Sequence, residues 1–424
     1  MKPLRSSFHL SPNILPFDLA LLPPTAYLVG GMVRDALLNR KRDYLDLDFA
    51  LPNLVIETAK KIANKYHAGF VVLDDKRNIA RVVFEQGTVD FAQQEGDSIE
   101  KDLSRRDFTI NAIAYNFHKQ KLIDPFHGLK DLQIKTMRMI SVKNLQDDPL
   151  RLLRVYRQAA QLNFTIETQT RQTIVELSSL INQIAAERVQ SEFNYLLGNE
   201  GGSNWFIQIE QDGLLKPWFS GTNNNNLQLL QGVDHSVKLL QNRLTKEDFN
   251  DFFSLRGEDT VYSSSLLQRA RLTCLVSNDA KIAKEELINL KYSNQDIKAV
   301  LKVLSNLPSL EKDKQNISLR EIYFLFLELG NIFPIFALVA LGKNINNDLI
   351  LKLISHYLDP QDKLAHPIPL ITGHDLINYL KIKPSPQLGQ LLTEVSIAQI
   401  EGKIENKAEA LEFARDYLVN LNSI

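Results

Sequence analysis

Up to about residue 137, apolar residues alternate with polar ones in short runs. TAYLVGG, LDLDFAL, GFVVLDD, IARVVFE, TVDFAQ and KLIDPF each read as a strand, with turn or helix segments between them. DDKRN and QG have the composition of hairpin connections between the middle strands. Beyond that point Val, Ile and Thr stop clustering, and apolar positions recur at three and four. RLLRVYRQAAQLNF, RQTIVELSSLINQI and ERVQSEFNYLLGN predict helices. A further helix is expected to start near Thr109, and the polar tract GTNNNN at 221–226 predicts a loop. Pro367 and Pro369 mark another break. The most apolar stretch, YFLFLELGNIFPIFALVAL, is interrupted by Glu328, Asn331 and Pro334, which predicts two buried helices and not a membrane span. No repeat of fixed period is visible. The pattern predicts an α+β protein: an N-terminal α/β head followed by an all-helical remainder of about three pieces.

Length adds that 424 residues exceed one ordinary core, so two to four subdomains are expected. Hydrophobic content of 44% and charged content of 23% are those of a soluble globular chain. A formal charge of −1 means that any nucleic acid must be held by a local basic patch, with acids elsewhere cancelling the count. The single cysteine, Cys274, excludes an intrachain disulfide and a Cys-cluster metal site, as suits a reducing cytoplasm. Lys2 and Arg5 are followed by no continuous apolar run before Pro16, so no signal peptide is expected.

The first chemistry lies in LDLDF. Residues two apart on a strand share a face, so Asp46 and Asp48 point together while Leu45, Leu47 and Phe49 turn to a core. Two neighbouring carboxylates repel unless a cation sits between them, and magnesium prefers one or two carboxylates plus phosphate oxygens and water. The alternative is a strand face with two solvated acids. Just upstream, TAYLVGG then MVRDALL reads as strand, tight turn and helix. Gly30 and Gly31 let backbone N–H groups approach a phosphate, the helix N-terminus adds partial positive charge, and Arg34 adds a full one. A bare Gly-Gly is more often a plain connector, but here the two-aspartate strand follows at once, which would set triphosphate beside metal. Asp90, mid-strand in TVDFAQ, is a candidate third carboxylate or simply an outward-facing edge residue.

Two arginine-rich stretches follow. In LSRRDFTINAIAYN, one of Arg105 and Arg106 is a candidate phosphate contact, and Asp107 or Asn111 a candidate for ribose hydroxyls; equally, Asp107 is a helix N-cap beside surface arginines. In DDPLRLLRVYRQAAQLNF, Asp147 and Asp148 are expected to open a helix with Pro149 in its first turn. Asp148 and Arg151 are three apart and so neighbours on its surface, and Arg154 and Arg157 extend a slanting basic stripe. An intrahelical ion pair would explain this spacing. A base edge would explain it too: cytosine and adenine both present an amino donor beside a ring-nitrogen acceptor, matching carboxylate and guanidinium. Uracil and guanine reverse that order.

In sequence and order, GGMVRD, DLD, RRDFTINAIAY, DPFHGLKDL, DDPLRLLRVYRQAAQL and AERVQSEF resemble the signature series of class II tRNA nucleotidyltransferases, the CCA-adding enzymes and bacterial poly(A) polymerases. The likeness is dense over residues 25–200, thins through QDGLLKPWF and LKYSNQDI, and returns in ITGHDLINYL and EGKIENKAEALEFARDYL. It implies a polymerase-beta-like catalytic head over 1–136, a neck over 137–200, a body over 201–365 and a tRNA-binding tail over 366–424. It implies template-independent addition of C, or C and A, from CTP and ATP to a tRNA 3′ end in the cytoplasm, with Mg²⁺. Position by position, Asp46 and Asp48 become metal ligands, and Gly31 and Arg34 triphosphate contacts. Arg106 with Asp107 becomes the ribose and phosphate contact, Asp148 with Arg151 the base-reading pair, and Arg154 with Arg157 its support. Glu187, Arg188 and Glu192 would brace the neck.

Three departures stand out. Asp147-Asp148 replaces the family's usual Glu-Asp, and His127-Gly128 replaces Gly-Gly after DPF. Only residues 93–100 separate TVDFA from KDLSRRD, where complete CCA-adding members carry a long flexible loop; the short link resembles the CC-adding members. No histidine-aspartate phosphohydrolase motif is visible. The alternatives are a poly(A) polymerase, whose members often end in a long basic extension that is not expected here, and a non-catalytic tRNA-binding relative, against which the intact Asp46 and Asp48 argue. Neither a membrane nor DNA is expected as a partner.

Overall fold

The computed structural model describes residues 10–40, 44–199, 201–254, 262–311 and 317–421; Lys2 and Arg5, weighed above for a leader, lie outside the described residues. The chain divides into two compact units, one of residues 1–192 with 208–214, the other of 193–207 with 215–424.

The first unit is built on a seven-stranded mixed sheet. Its strands are β1 (Tyr27–Val29), β2 (Leu45–Leu51), β3 (Gly69–Asp74), β4 (Ile79–Phe84), β5 (Gly87–Gln93), β6 (Ala114–Asn116) and β7 (Lys121–Ile123), in the order β3-β4-β5-β2-β1-β6-β7. Only β2 and β5 pair in parallel; the other neighbours are antiparallel. The alternation in LDLDFAL does what its period requires: Leu47, Phe49 and Leu51 are buried, and Phe49 stacks on Phe91 of β5 with ring centroids 5.6 Å apart. The sheet's helices are α1 (Gly31–Leu37), α2 (Val55–Tyr66) and α3 (Ile99–Ser104).

The helix expected near Thr109 is a single 3-10 turn, Thr109–Asn111, followed by β6. Strand pairing overrides local propensity there: Ala114 pairs with both Val29 and Ile123, and Thr109 N–H is held by the carbonyl of Arg138. After DPF, Gly128 opens α4 (Gly128–Gln133) so close to the preceding turn that a Cβ would lie 2.3 Å from the Thr109 carbonyl oxygen. Its neighbour His127 takes φ +58°, a left-handed conformation that only glycine adopts without a Cβ penalty.

Two short parallel strands, β8 (Thr136–Met137) and β9 (Thr165–Ile166), flank α5 (Val142–Asp147) and α6 (Arg151–Leu162); α7 (Thr168–Leu177) and α8 (Ala186–Gly198) follow. Asp147 ends α5 and Asp148 lies outside α6, which corrects the expectation that both open one helix. The cause is Pro149, whose ring disfavours the helical region for the residue before it; Asp148 sits at φ −139°, ψ 89°. The inner face of α6 is fully buried at Leu152, Leu153, Val155 and Tyr156, and the Tyr156 hydroxyl donates to Asp212, which also takes Arg171.

The described residues of the second unit form helices joined by turns and loops. Phe193, Phe206 and Phe219 form one aromatic core, and a second cluster gathers Leu376, Leu391, Val395, Ala410 and Ala414. Of the expected loop at 221–226, the last three residues are helical: Asn223 caps the helix Asn224–Arg243, and Asn226 is buried, donating to the carbonyls of Cys274 and Val276. Leu319–Gly342 is long and apolar enough to cross a membrane by length and composition, yet 67% of its most apolar window is buried within the protein. It is broken at Gly330 into the helices Leu319–Leu329 and Phe333–Gly342, as the interruptions predict.

Candidate active site

Four pieces of the first unit meet around a cavity of about 480 Å³: the β1–α1 turn, β2, the segment after α3, and α6. The turn is made by Gly30, whose φ of +77° with ψ of −140° is open only to glycine. A Cβ there would lie 3.4 Å from both Arg106 Nη1 and Asp48 Oδ2, so the backbone runs beside a guanidinium and a carboxylate at once.

Asp46 and Asp48 share a face of β2, with Thr88 and Asp90 beside them on β5. Asp46 is exposed and accepts from Thr88 Oγ1 at 3.2 Å. Asp48 is half-buried; burial, with the charges of Asp46 and Asp90, pushes its carboxyl up to about 6, against the opposing pull of Arg106 and Arg81. Asp90 does not line the cavity: Arg81 of β4 grips both its oxygens at 2.7 and 2.8 Å. Among the described residues no group of three or more His, Cys, Asp or Glu is gathered for a metal. The donor set is instead two hard carboxylates carrying more negative charge than their surroundings balance. That set fits a divalent cation whose remaining positions come from phosphate oxygens and water.

The same cavity is lined by a buried polar network. Arg34, 9% exposed, donates from Nη1 to Asn111 Oδ1 at 2.8 Å; Asn111 Nδ2 donates to Asp107 Oδ1 and Gln158 Oε1, each at 2.9 Å. Arg154 Nη1 lies 3.5 Å from Asp107 Oδ2. The structure thus brings together Gly30, Gly31, Arg34, Arg106, Asp107, Asn111, Arg151, Arg154 and Arg157, scattered over more than a hundred positions. Nε of Arg106, Arg151 and Arg154 is buried without an acceptor. The guanidinium groups gathered around this cavity suit an anionic, acceptor-rich ligand. Arg105, the other arginine of that motif, also lines the cavity, as does Gln158, which was not anticipated. Gln158 was findable, since it lies seven residues after Arg151 and four after Arg154, on the same helical stripe.

The Asp148–Arg151 pair is looser than the spacing suggests. Arg151 Nε is 3.9 Å from Asp148, while Nη1 donates to the carbonyls of Arg105 (2.9 Å) and Asn144 (3.0 Å). Asp148 is met by Arg188 of α8 at 3.2 Å. Arg157 pairs with Glu192 at 2.5 Å, and Arg154 lies 3.7 Å from the same carboxylate, so α8 holds this end of α6.

Known proteins resemble this chain in sequence and in fold. Residues 26–138 match the family described as "Poly A polymerase head domain", residues 163–225 the "Probable RNA and SrmB- binding site of polymerase A", and residues 263–414 "tRNA nucleotidyltransferase domain 2 putative". The chain is 53% identical over 404 residues to the CC-adding tRNA nucleotidyltransferase of Synechocystis sp., covering 95% of this chain and 96% of that one. It is 30% identical over 403 residues to a CCA-adding enzyme of Streptococcus pneumoniae, covering 91% and 92%. Its fold resembles a CCA-adding enzyme solved with ATP (TM-score 0.72, 22% identity, 93% and 91% covered). The Thermotoga maritima CCA-adding enzyme complexed with tRNA is similar in fold (TM-score 0.68, 21% identity, 93% and 91% covered).

Proposed function

Because this chain belongs to the tRNA nucleotidyltransferases that carry a poly(A) polymerase head, we propose that it adds two cytidylates to the tRNA 3′ end and stops there. It is an enzyme that extends tRNA without a nucleic-acid template and releases pyrophosphate; tRNA, CTP and ATP are the partners of its family. In this reading residues 1–136 form the catalytic head and 137–200 the neck with the base-reading helix. Residues 201–365 form the body, and 366–424 the tail that grips tRNA. On this reading the reaction runs in the cytoplasm.

Enzymes of this family generally work with a divalent metal. Asp46 and Asp48 would hold it, and their hard oxygens favour magnesium. When bound, it supplies charge stabilisation to the attacking 3′-oxygen and the departing pyrophosphate. The protein's own groups do the rest. The Gly30–Gly31 turn and Arg34 receive the triphosphate, and Arg106, beside the same turn, adds a second cation. Asp107 and Asn111 would meet the ribose hydroxyls. Asp90, neutralised by Arg81, acts as a fixed charge behind Asp48 and not as a ligand. Arg151 offers its unpaired Nε to a ring-nitrogen acceptor while Asp148 accepts from the adjacent amino group, which selects cytosine over uracil by roughly 1–3 kcal/mol. Arg154 and Arg157 support the nucleotide from the same helix.

One observation carries the two-cytidylate reading: the link between β5 and α3, residues 94–98, is tied down. Gln94 N–H donates to the Leu51 carbonyl at 2.7 Å, Glu95 N–H to Asp102 at 3.1 Å, and Ser98 caps α3. Gly96 packs so that a Cβ would meet Lys101 Cγ at 2.5 Å. A segment held this way does not act as the mobile lever needed to refit the pocket from cytosine to the larger adenine. The test is incubation with CTP and ATP of tRNAs lacking CCA, CA or A, followed by sequencing of the product ends. The first two should end in CC and the third should remain unextended. Efficient addition of the terminal A by the purified protein defeats the two-cytidylate reading and leaves the transferase assignment intact.

A further inference from the structure

We propose that Asp102 is a positioning residue for nucleotide transfer: it closes the link after β5 and sets both arginines that follow it against the nucleotide. The inference rests on reading the cavity as the nucleotide site. Asp102 lies on α3, is 2% exposed and does not line the cavity. A carboxylate that deep is costly unless its oxygens are met by donors. Three meet it. Oδ1 accepts from Glu95 N–H at 3.1 Å and from Arg105 Nη2 at 3.3 Å, and Oδ2 accepts from Arg106 Nη2 at 3.1 Å.

Each donor leads somewhere different. Glu95 belongs to the link, and its own carboxylate pairs with Arg105. Arg106 lines the cavity, with Nη1 against the Gly30 turn and Nε free of protein acceptors. Arg105 passes the constraint on through its backbone, because its carbonyl accepts from Arg151 Nη1 at 2.9 Å. One buried carboxylate therefore ties the link, the triphosphate-side arginine and the base-reading arginine into one rigid unit. Such fixed orientation is what lets a guanidinium act without reorganising when the substrate arrives.

The sign of one kinetic constant separates positioning from simple charge. Asp102→Asn removes a negative charge near an anionic substrate, which by itself would lower KM for CTP. Loss of positioning does the reverse. The expected result is a rise in KM for CTP of roughly tenfold, the worth of one charge-assisted hydrogen bond, with kcat and tRNA affinity near wild type. Melting temperature is measured alongside. A KM that is unchanged or lower overturns the inference, as does a parallel loss of kcat, KM, tRNA affinity and folded fraction, which marks a merely structural role. If Asp102→Asn does not fold, hydrogen exchange of the wild-type Glu95 amide decides. Exchange as slow as in β5 supports the clamp, and loop-like exchange overturns it. Wild-type protein that fails to add C to tRNA would instead sink the functional reading on which the inference rests.

Discussion

Replacing Arg151 with alanine should cost base choice as well as rate, and the structure lets the two be separated. The guanidinium has two jobs in its present geometry. Nη1 bridges the carbonyls of Arg105 and Asn144, which holds the segment after α3 against the start of α6. Nε is buried without a hydrogen bond, 3.9 Å from Asp148 Oδ2. Losing the bridge removes two hydrogen bonds worth about 0.5–1.5 kcal/mol each and slows transfer of any nucleotide alike. Losing the Nε donor removes half of a two-point base contact worth about 1–3 kcal/mol of discrimination. The ratio of kcat/KM for CTP over UTP should therefore fall roughly five- to 150-fold, beyond the common loss of rate. Arg151→Lys should restore part of the common rate, because an ammonium can reach one carbonyl, but little of the ratio, because it lacks the planar fork. Single-turnover extension of tRNA lacking CCA, with CTP and UTP in separate reactions, measures both quantities. Equal slowing on the two nucleotides would falsify the base-reading role of this helix.

Asp46→Ala or Asp48→Ala should abolish transfer while tRNA binding survives; a variant keeping more than a few per cent of the rate by single-turnover assay loses its metal-ligand assignment. The strain at Asp48 also has a pH signature. Its cost to stability is absent below the ordinary value of 3.8, grows from there to about 6 and is fully present above. Without divalent metal, Asp48→Asn should accordingly raise the melting temperature at neutral pH and leave it unchanged below 3.8; the same shift at both ends of the scale would contradict this account. Gly128→Ala should destabilise the fold by about 1–3 kcal/mol in urea titration, since its Cβ would press on the Thr109 carbonyl. Affinity for tRNA should fall with salt despite the net charge of −1, with a log–log slope of about −0.7 to −0.9 per phosphate contact; a flat response in filter binding would remove the basic-patch argument.

The strands and helices with clean periodicity were legible because burial enforces the period. In β2 a one-residue slip would turn Leu47 and Phe49 to solvent and both aspartates to the core, so LDLDF admits one register. The segment after Arg106 was not legible. Its residues suit a helix, and pairing with β1, distant in sequence, together with the local hairpin to β7 makes Ala114–Asn116 a strand. The start of α6 was misjudged because Pro149 was weighed for its tolerance inside a helix and not for what it imposes on Asp148. At the site, spacing alone brought out the acids, the glycine turn and the arginine stripe. The partners of those groups were invisible, because Arg81–Asp90, Arg188–Asp148 and Arg34–Asn111 are set by sheet register and helix docking.

Those partners bear on the choice between cytosine and adenine. The two bases offer the same donor and acceptor order but differ by a ring, so a pocket that reads both must shift Asp148 and Arg151. Moving Arg151 alone breaks its bonds to the carbonyls of Arg105 and Asn144, at a combined cost of about 1–3 kcal/mol. Moving it with its anchors is harder. Asn144 Nδ2 is itself bonded to the carbonyls of Ser104 (2.8 Å) and Arg106 (2.7 Å), and Arg105 is bonded to Asp102 and Glu95. A long loop in this position could travel with the arginines and spare those bonds; residues 94–98 cannot, because Gln94 is fixed to β2 and Ser98 to α3. On our reading the shifted, adenine-sized pocket is therefore a minor state. A ligand with no stronger grip on that state than on the other does not populate it, however much ATP is present.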